Sequence, residues 1–173
     1  MSDDMPDWLP DMVGVDGGFA EVTQKLYAIF HNDFVSKKRE LRGAEVWHDK
    51  RVQRGETYEE GFWHLITRDS VGNDQRLFDP RRAERLPWCA PLLGHADDAC
   101  VQYWVCIERA KSVCYVWLPE WDYVVILEMR KLKPRWQGGR VLPERTIAFL
   151  KTAYHVDGKS QKLSLEKKYE RRV

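Results

Sequence analysis

The chain has 173 residues, 43% of them hydrophobic and 32% charged. These are the proportions of a globular protein with room for one domain and its own core. No apolar run approaches the ~20 residues that cross a bilayer. The acidic opening "MSDDMPDWLP" lacks the apolar segment of a secretory signal. The cytoplasm is therefore the expected compartment, and no membrane partner is expected. A net charge of +1 does not by itself announce a nucleic-acid binder, but the distribution is uneven: residues 1–24 carry five Asp, one Glu and no base, while residues 130–173 are rich in Lys and Arg. A basic C-terminal half suits a polyanionic partner, or simply a solvated surface.

In chain order, residues 1–17 read as a loose lead-in punctuated by Pro6 and Pro10, and residues 18–173 as a single domain. Phe19, Val22, Leu26, Ile29, Phe30 and Phe34 recur at steps of three and four, which predicts an amphipathic helix of about four turns. "AEVWHD" (44–49) predicts a strand, and "RGETYEEGFWHLITRD" a turn followed by a strand. "LFDPRRAERLPW" predicts a short helix with Asp79 as N-cap, Pro80 at the first helical position and Pro87 closing it. "CVQYWVCIERAKSVCYVWLPEWDYVVILEMRK" holds three aromatic and β-branched runs, joined at "ERAKS" and "PEWD". Connections this short demand an antiparallel meander. A polar loop with Gly138, Gly139 and Pro143 leads to a last strand, "IAFLKTAYHV", and "SQKLSLEKKYERR" predicts a basic terminal helix. The expected fold class is α+β, with N-terminal helices packed on an antiparallel sheet of four to five strands.

The four cysteines, Cys89, Cys100, Cys106 and Cys114, form no CxxC pair. They read as reduced core residues, with Cys106 and Cys114 facing each other across a hairpin. "FHND" (30–33) and the His48–Asp49 pair invite a metal reading. However, none of the five histidines shows paired ligand spacing, so no metal and no cofactor are expected. P-loop, dinucleotide-binding and nucleophile-elbow motifs are absent.

Three stretches could carry chemistry. Read as a strand, "GFWHLITRD" puts Phe62, His64, Ile66 and Arg68 on one face and Trp63, Leu65 and Thr67 on the other, with His64 and Arg68 roughly 13 Å apart. That separation suits the two sides of a phosphodiester site; equally, His64 could hydrogen-bond within the core and Arg68 cap the strand end. In "LKTAYHV", alternation puts Thr152 and Tyr154 on one face and Lys151 and His155 on the other. A hydroxyl, a phenol and an ammonium together suit acid–base and anion-stabilising work, or an edge strand facing water. In "RRAERLPW", Arg81, Arg82 and Arg85 could grip phosphate and Trp88 could stack a base, unless they form a solvated helix face.

"EEGFWHLITRD", "RRAERLPW", "VCYVWLPEWDYVVILEMR" and "FLKTAYHVDGKSQKLSLEKKYE", in that order, resemble the phage- and plasmid-borne nucleases of the barnase–EndoU–colicin–RelE-like superfamily. The resemblance spans roughly residues 19 to 170. It implies metal-independent RNA cleavage, in which the ribose 2′-OH attacks the adjacent phosphorus while side chains move protons and cations hold the phosphorane charge. It also implies a toxin with an antitoxin or immunity partner. Carried over, His64 is general acid or base, Arg68 a phosphate clamp, Thr152 and Tyr154 catalytic polar groups, Lys151 a substrate-binding cation, Arg82 and Arg85 backbone grips and Trp88 a stacking platform. The rival expectation is a non-catalytic module that binds nucleic acid or protein through "KLKPRWQGGR" and the tail, with Trp136 stacking bases. The near-neutral net charge is weak for an RNA enzyme acting on naked substrate, so RNA bound to a ribosome or another carrier is an expected form.

Overall fold

The computed structural model of the chain describes residues 4–173. Residues 1–3 of the lead-in lie outside the described residues. The rest of the lead-in is not loose. Leu9 is buried, Trp8 stacks on His95 at 4.4 Å, the Val13 N–H donates to the Glu84 carbonyl and the Trp88 indole N–H to that of Pro10.

The first helix, α1 (Phe19–Phe30), buries Val22, Leu26 and Phe30, and a π-type turn over His31–Val35 extends the stripe to Phe34. Strands β1 (Glu40–Leu41) and β2 (Ala44–Trp47) form a tight hairpin. Helix α2 (Glu60–Ile66) occupies most of the stretch expected as a strand; only Thr67–Asp69, β3, is extended, and it pairs with β4 (Arg76–Phe78). This helix has a readable cause. Phe62, Leu65 and Ile66 stand at the i, i+3, i+4 spacing of a helix face and all three are buried. The aromatic and β-branched content of so short a run masks that period.

Asp79 caps α3 (Pro80–Glu84) as expected, its side chain accepting from the Arg81 and Arg82 N–H groups. Pro87 does not end the helical region. A 3₁₀ turn over Leu86–Trp88 passes into α4 (Cys89–Gly94), where Pro91 sits in the first turn and needs no N–H partner. The meander comes next as β5 (Gln102–Glu108), β6 (Lys111–Leu118) and β7 (Tyr123–Leu132). A small ribbon, β8 (Arg135–Gln137) and β9 (Arg140–Leu142), leads into β10 (Arg145–His155). Helix α5 (Gly158–Glu170) ends the described elements. It begins two residues before the expected start, and its four lysines are interspersed with Glu166 and Glu170.

The main sheet has six strands, not four or five, in the order β1-β2-β10-β7-β6-β5. It is mainly antiparallel, with β2 running parallel to β10. Helices α1 to α4 pack on one face, burying Leu118, Val125, Leu127, Ala148 and Leu150 from the strands. On the other face α5 seats Leu165 among Trp104, Cys106, Tyr115, Trp117 and Val124. Its Lys168 ammonium donates to the Tyr115 hydroxyl, which donates to Glu108, both at 2.7 Å. Val105 pairs with Cys114 and Cys106 with Val113, so Cys106 and Cys114 point to opposite faces and do not meet. All four thiols are unpaired; Cys100 is only partly buried.

One irregularity decides the site. The β10–β7 register runs Leu150↔Leu127, then Thr152↔Ile126, leaving Lys151 as a bulge. A bulge inserts one residue and reverses the facing of the residues after it. Leu150 still points into the helix-covered core, while Thr152 and Tyr154 turn to the face that α5 only partly covers.

Candidate active site

Beside α5 the second sheet face is open. A cleft of about 460 Å³ lies there, floored by Phe149, Lys151, Thr152 and Tyr154 of β10. Its walls are His64 of α2, Arg68 and Asp69 of β3, Arg76 of β4 and the Asp49–Arg51 turn. Six of the eight residues expected at a site therefore converge: His64, Arg68, Arg82, Lys151, Thr152 and Tyr154. The alternation expected for "LKTAYHV" is corrected by the bulge, which places Lys151 in the cleft with Thr152 and Tyr154 instead of opposite them.

His64 reaches the cleft from the last turn of α2, not from a strand, so the expected face-sharing with Arg68 along a strand does not hold. The start of α2 is pressed onto the 48–51 turn, where the Glu60 N–H donates to the Arg51 carbonyl and the Gly61 N–H to that of Asp49. A Cβ on Gly61 would stand 3.0 Å from the His48 Cβ and 3.1 Å from the Asp49 carbonyl oxygen. Glycine is thus what permits this approach. The His64 side chain is 29% exposed, its Nε2 lying 3.7 Å from Glu60 Oε2 and 3.4 Å from Arg76 Nη2. Burial first, then the Arg76 and Lys151 charges, push its pKa down to about 4 against the opposing pull of Asp49 and Asp69. At neutral pH the imidazole is unprotonated, and the guanidinium next to Nε2 favours the tautomer with the proton on Nδ1.

Thr152 and Arg82 hold the walls together. The Thr152 hydroxyl donates to the His64 carbonyl at 3.0 Å and accepts from Arg82 Nη1 at 3.2 Å. The same Nη1 donates to the Thr67 carbonyl at 2.7 Å, and Arg82 Nε sits 3.4 Å from Asp79. The guanidinium also lies over the Tyr154 ring, 5.4 Å from its centre. The one hydroxyl proton of Thr152 is committed to backbone, so its part is positional. Tyr154 keeps its phenolic proton, since burial raises its pKa and Arg82 only partly opposes.

Arg68 is exposed, and no carboxylate pairs with it among the described residues. Lys151 lies 3.9 Å from Glu128, and Arg51 clasps Asp49 at 2.6 Å, holding that carboxyl at about 2.

Two expected residues lie elsewhere. Trp88 is 3% exposed, donates to the Pro10 carbonyl and meets Tyr123 edge-on at 5.7 Å. Its ring has no face left for a base. Arg85 lies across Trp88 and donates to the Arg81 carbonyl, with Glu84 3.6 Å away; it serves α3 and the turn after it, not the cleft. Conversely, Arg76 and Arg51 line the cleft without having been singled out. Their sequence signal is nil, because each arrives on a turn or two-stranded hairpin whose position only the fold sets.

No family model matches the chain, and neither a curated protein nor a solved structure matches it.

The cleft can thus offer an unprotonated imidazole, several cations and a protonated phenol around one open volume. A second cavity of about 420 Å³ adjoins it, lined by the aromatic rings of Phe19, Trp63 and Phe78, the amides of Gln53 and Gln75 and the carboxylates of Glu56, Glu60 and Asp74, with Thr67 and Arg76 shared with the cleft. Among the described residues no three His, Cys, Asp or Glu side chains gather as metal ligands, and no helix is long and apolar enough to cross a membrane.

Proposed function

We propose that the cleft is the active site of a metal-independent endoribonuclease. The observation that carries this reading is the convergence of a neutral His64 with Arg68, Arg76 and Lys151 on one open cleft, brought about by the α2 docking and the β10 bulge. A phosphodiester needs cations that do not already spend their charge on carboxylates, and Arg68 meets that condition. In this reading His64 Nε2 takes the proton of the ribose 2′-OH, and the 2′ oxygen attacks the neighbouring phosphorus. Phosphate engaging Arg76 draws that guanidinium off Nε2 and leaves the lone pair to act as base. Arg68 and Arg76 hold the non-bridging oxygens, and the Tyr154 phenol donates to one of them. The P–O5′ bond breaks, the leaving oxygen takes a proton from the Lys151 ammonium, and a 2′,3′-cyclic phosphate remains. Thr152 and Arg82 position His64, and the cavity beside Arg76 offers the rings of Phe19, Trp63 and Phe78 to stack a base next to the cleaved bond, with Glu56, Glu60 and Asp74 as acceptors for its N–H groups.

The resemblance to nucleases of mobile elements extends the proposal to a toxin held in check by an antitoxin or immunity protein. The test has two parts. Purified protein incubated with RNA in EDTA should leave 2′,3′-cyclic ends, and His64→Ala should abolish them; strict need for a divalent ion would sink the mechanism. Inducible expression in a bacterium, with sequencing of RNA 5′ ends, should arrest growth and reveal a set of new ends that His64→Ala removes. A chain that binds RNA tightly but leaves every RNA intact would make it a binding module instead.

A further inference from the structure

We infer that the β8–β9 ribbon is an arm that grips the RNA strand leading away from the cleft. The inference rests on the cleft taking RNA, and it concerns a part of the molecule that the chemistry does not use. Strands β7 and β10 pair out to Leu132↔Arg145. Pairing then lapses over Lys133–Pro134 and Pro143–Glu144, and it resumes as Arg135↔Leu142, Trp136↔Val141 and Gln137↔Arg140. Each side of the gap holds a proline, which has no N–H for the ladder, so the ribbon is jointed to the sheet at this point. Gly138 and Gly139, at φ 59° and 78°, close it in the left-handed turn that two-residue hairpins require.

The ribbon buries almost nothing of its own. Trp136 is 75% exposed, and its cross-strand partner Val141 is exposed as well. A free two-stranded ribbon is at best marginally stable, and the Trp136–Val141 pair adds only a small cross-strand contact to it. Residues 130–145 carry Arg130, Lys131, Lys133, Arg135, Arg140 and Arg145 against one acid, Glu144. Among the described residues, no carboxylate pairs with Lys131, Lys133, Arg135 or Arg140. Uncompensated cations beside an exposed aromatic face are the chemistry of single-stranded nucleic-acid binding: charge follows the backbone and the ring stacks a base.

The arm is also continuous with the cleft. At its root Arg130 lies over Phe149 at 3.8 Å. Arg130 lines a hollow with Lys50 and with Asp49, Arg51, Phe149 and Lys151, the last four of which it shares with the cleft. Trp136 stands six residues beyond Arg130, about 20 Å along an extended strand. Arg130 and Arg145 at the root of the arm are paired with Glu128 and Glu45, so an RNA strand leaving the cleft passes Lys151 and these paired arginines before it meets the uncompensated Arg135 and Arg140 that flank the tryptophan.

The test uses the full chain with R135A/W136A/R140A combined, and W136A alone, after thermal unfolding has shown that both retain the parent midpoint. The probe is a non-cleavable 2′-O-methyl RNA about 20 nucleotides long, titrated between about 50 and 200 mM salt. The triple variant should bind at least tenfold more weakly, and its salt slope should fall by about 1.4, because two arginines no longer neutralise phosphates of a single strand. W136A should weaken binding several-fold while leaving the slope unchanged. Cleavage of a long RNA should fall in kcat/KM by the same factor as binding, while cleavage of a dinucleotide should not change. Parent-like RNA binding by the triple variant overturns the arm. So does equal, arm-dependent binding to polyglutamate or to phosphatidylserine vesicles, which would mark a general polyanion surface. If no RNA is ever cut but binding still depends on the arm, the nuclease reading fails and the arm stands.

Discussion

The two faces of the sheet follow opposite rules. Along β7, Val125, Leu127 and Met129 point to the helix-covered face and are apolar, and that series turns charged only at the exposed Lys131 near the strand's end. The alternating series Val124, Ile126, Glu128, Arg130 begins apolar under α5 and becomes charged where α5 no longer covers it. The same change runs along β10, where one bulge turns Thr152 and Tyr154 outward after Leu150 has turned inward. A face covered by helices must exclude polar groups or pair them. A face left half bare can hold cations beside a partly exposed imidazole, and that is where a polyanion can be bound.

The sharpest way to break this comparison uses two residues of α2 that sit two positions apart. Phe62→Ala, on the covered face, should cost about 3–5 kcal/mol, read as a lower denaturant midpoint. His64→Ala should leave the midpoint at pH 7 within about 1 kcal/mol and remove cleavage by about 10²- to 10⁴-fold. If His64→Ala destabilises as much as Phe62→Ala, the imidazole belongs to the core and not to the cleft.

A second test uses pH. The folded pKa of His64, about 4, lies below its ordinary value near 6.5. Between those values the unfolded chain takes up a proton that the native state refuses. Stability is therefore lost as pH falls from about 6.5 through about 4, by up to roughly 3 kcal/mol for this group, and its contribution is flat below that. His48 and His155 are shifted down by burial in the same sense, so the share of His64 is the difference between parent and His64→Gln, whose stability should fall less over that range. In cleavage assays, Arg76→Ala should move the acid limb of kcat/KM upward, because it removes the nearest charge opposing protonation.

Smaller effects should separate the groups that build the cleft from those that only face it. Arg82→Met breaks bonds to the Thr67 carbonyl and Thr152 and should cost about 1–3 kcal/mol. Gly61→Ala should cost about 1–2 kcal/mol by crowding the His48 side chain and the Asp49 carbonyl oxygen. It should lower cleavage more than this destabilisation alone explains, because it displaces the helix that carries His64. Arg68→Met should change stability least, by less than about 0.5 kcal/mol, and raise KM. Equal stability losses in Arg82→Met and Arg68→Met would show that Arg68 is structural too.

Sequence patterning by itself determined the class of fold and most of its elements. The α1 stripe, the Asp79–Pro80 helix start, the three-stranded meander and the last strand are local facts: periodicity, capping chemistry and short connections act over a few residues. Residue chemistry also drew attention to His64, Arg68, Arg82, Lys151, Thr152 and Tyr154, which the fold brings to the cleft. What only the tertiary structure decided is how those residues face. Whether "FWHLI" is helix or strand turned on docking against the 48–51 turn and on three buried side chains, since a run of that length satisfies either period. The direction of Lys151, Thr152 and Tyr154 turned on a bulge that no residue in "LKTAYHV" announces, because a bulge is a mismatch between two strands and not a property of one. Trp88 was lost to the lead-in, and Arg76 gained from a small hairpin, for the same reason. A side chain's availability depends on what the rest of the chain lays over it.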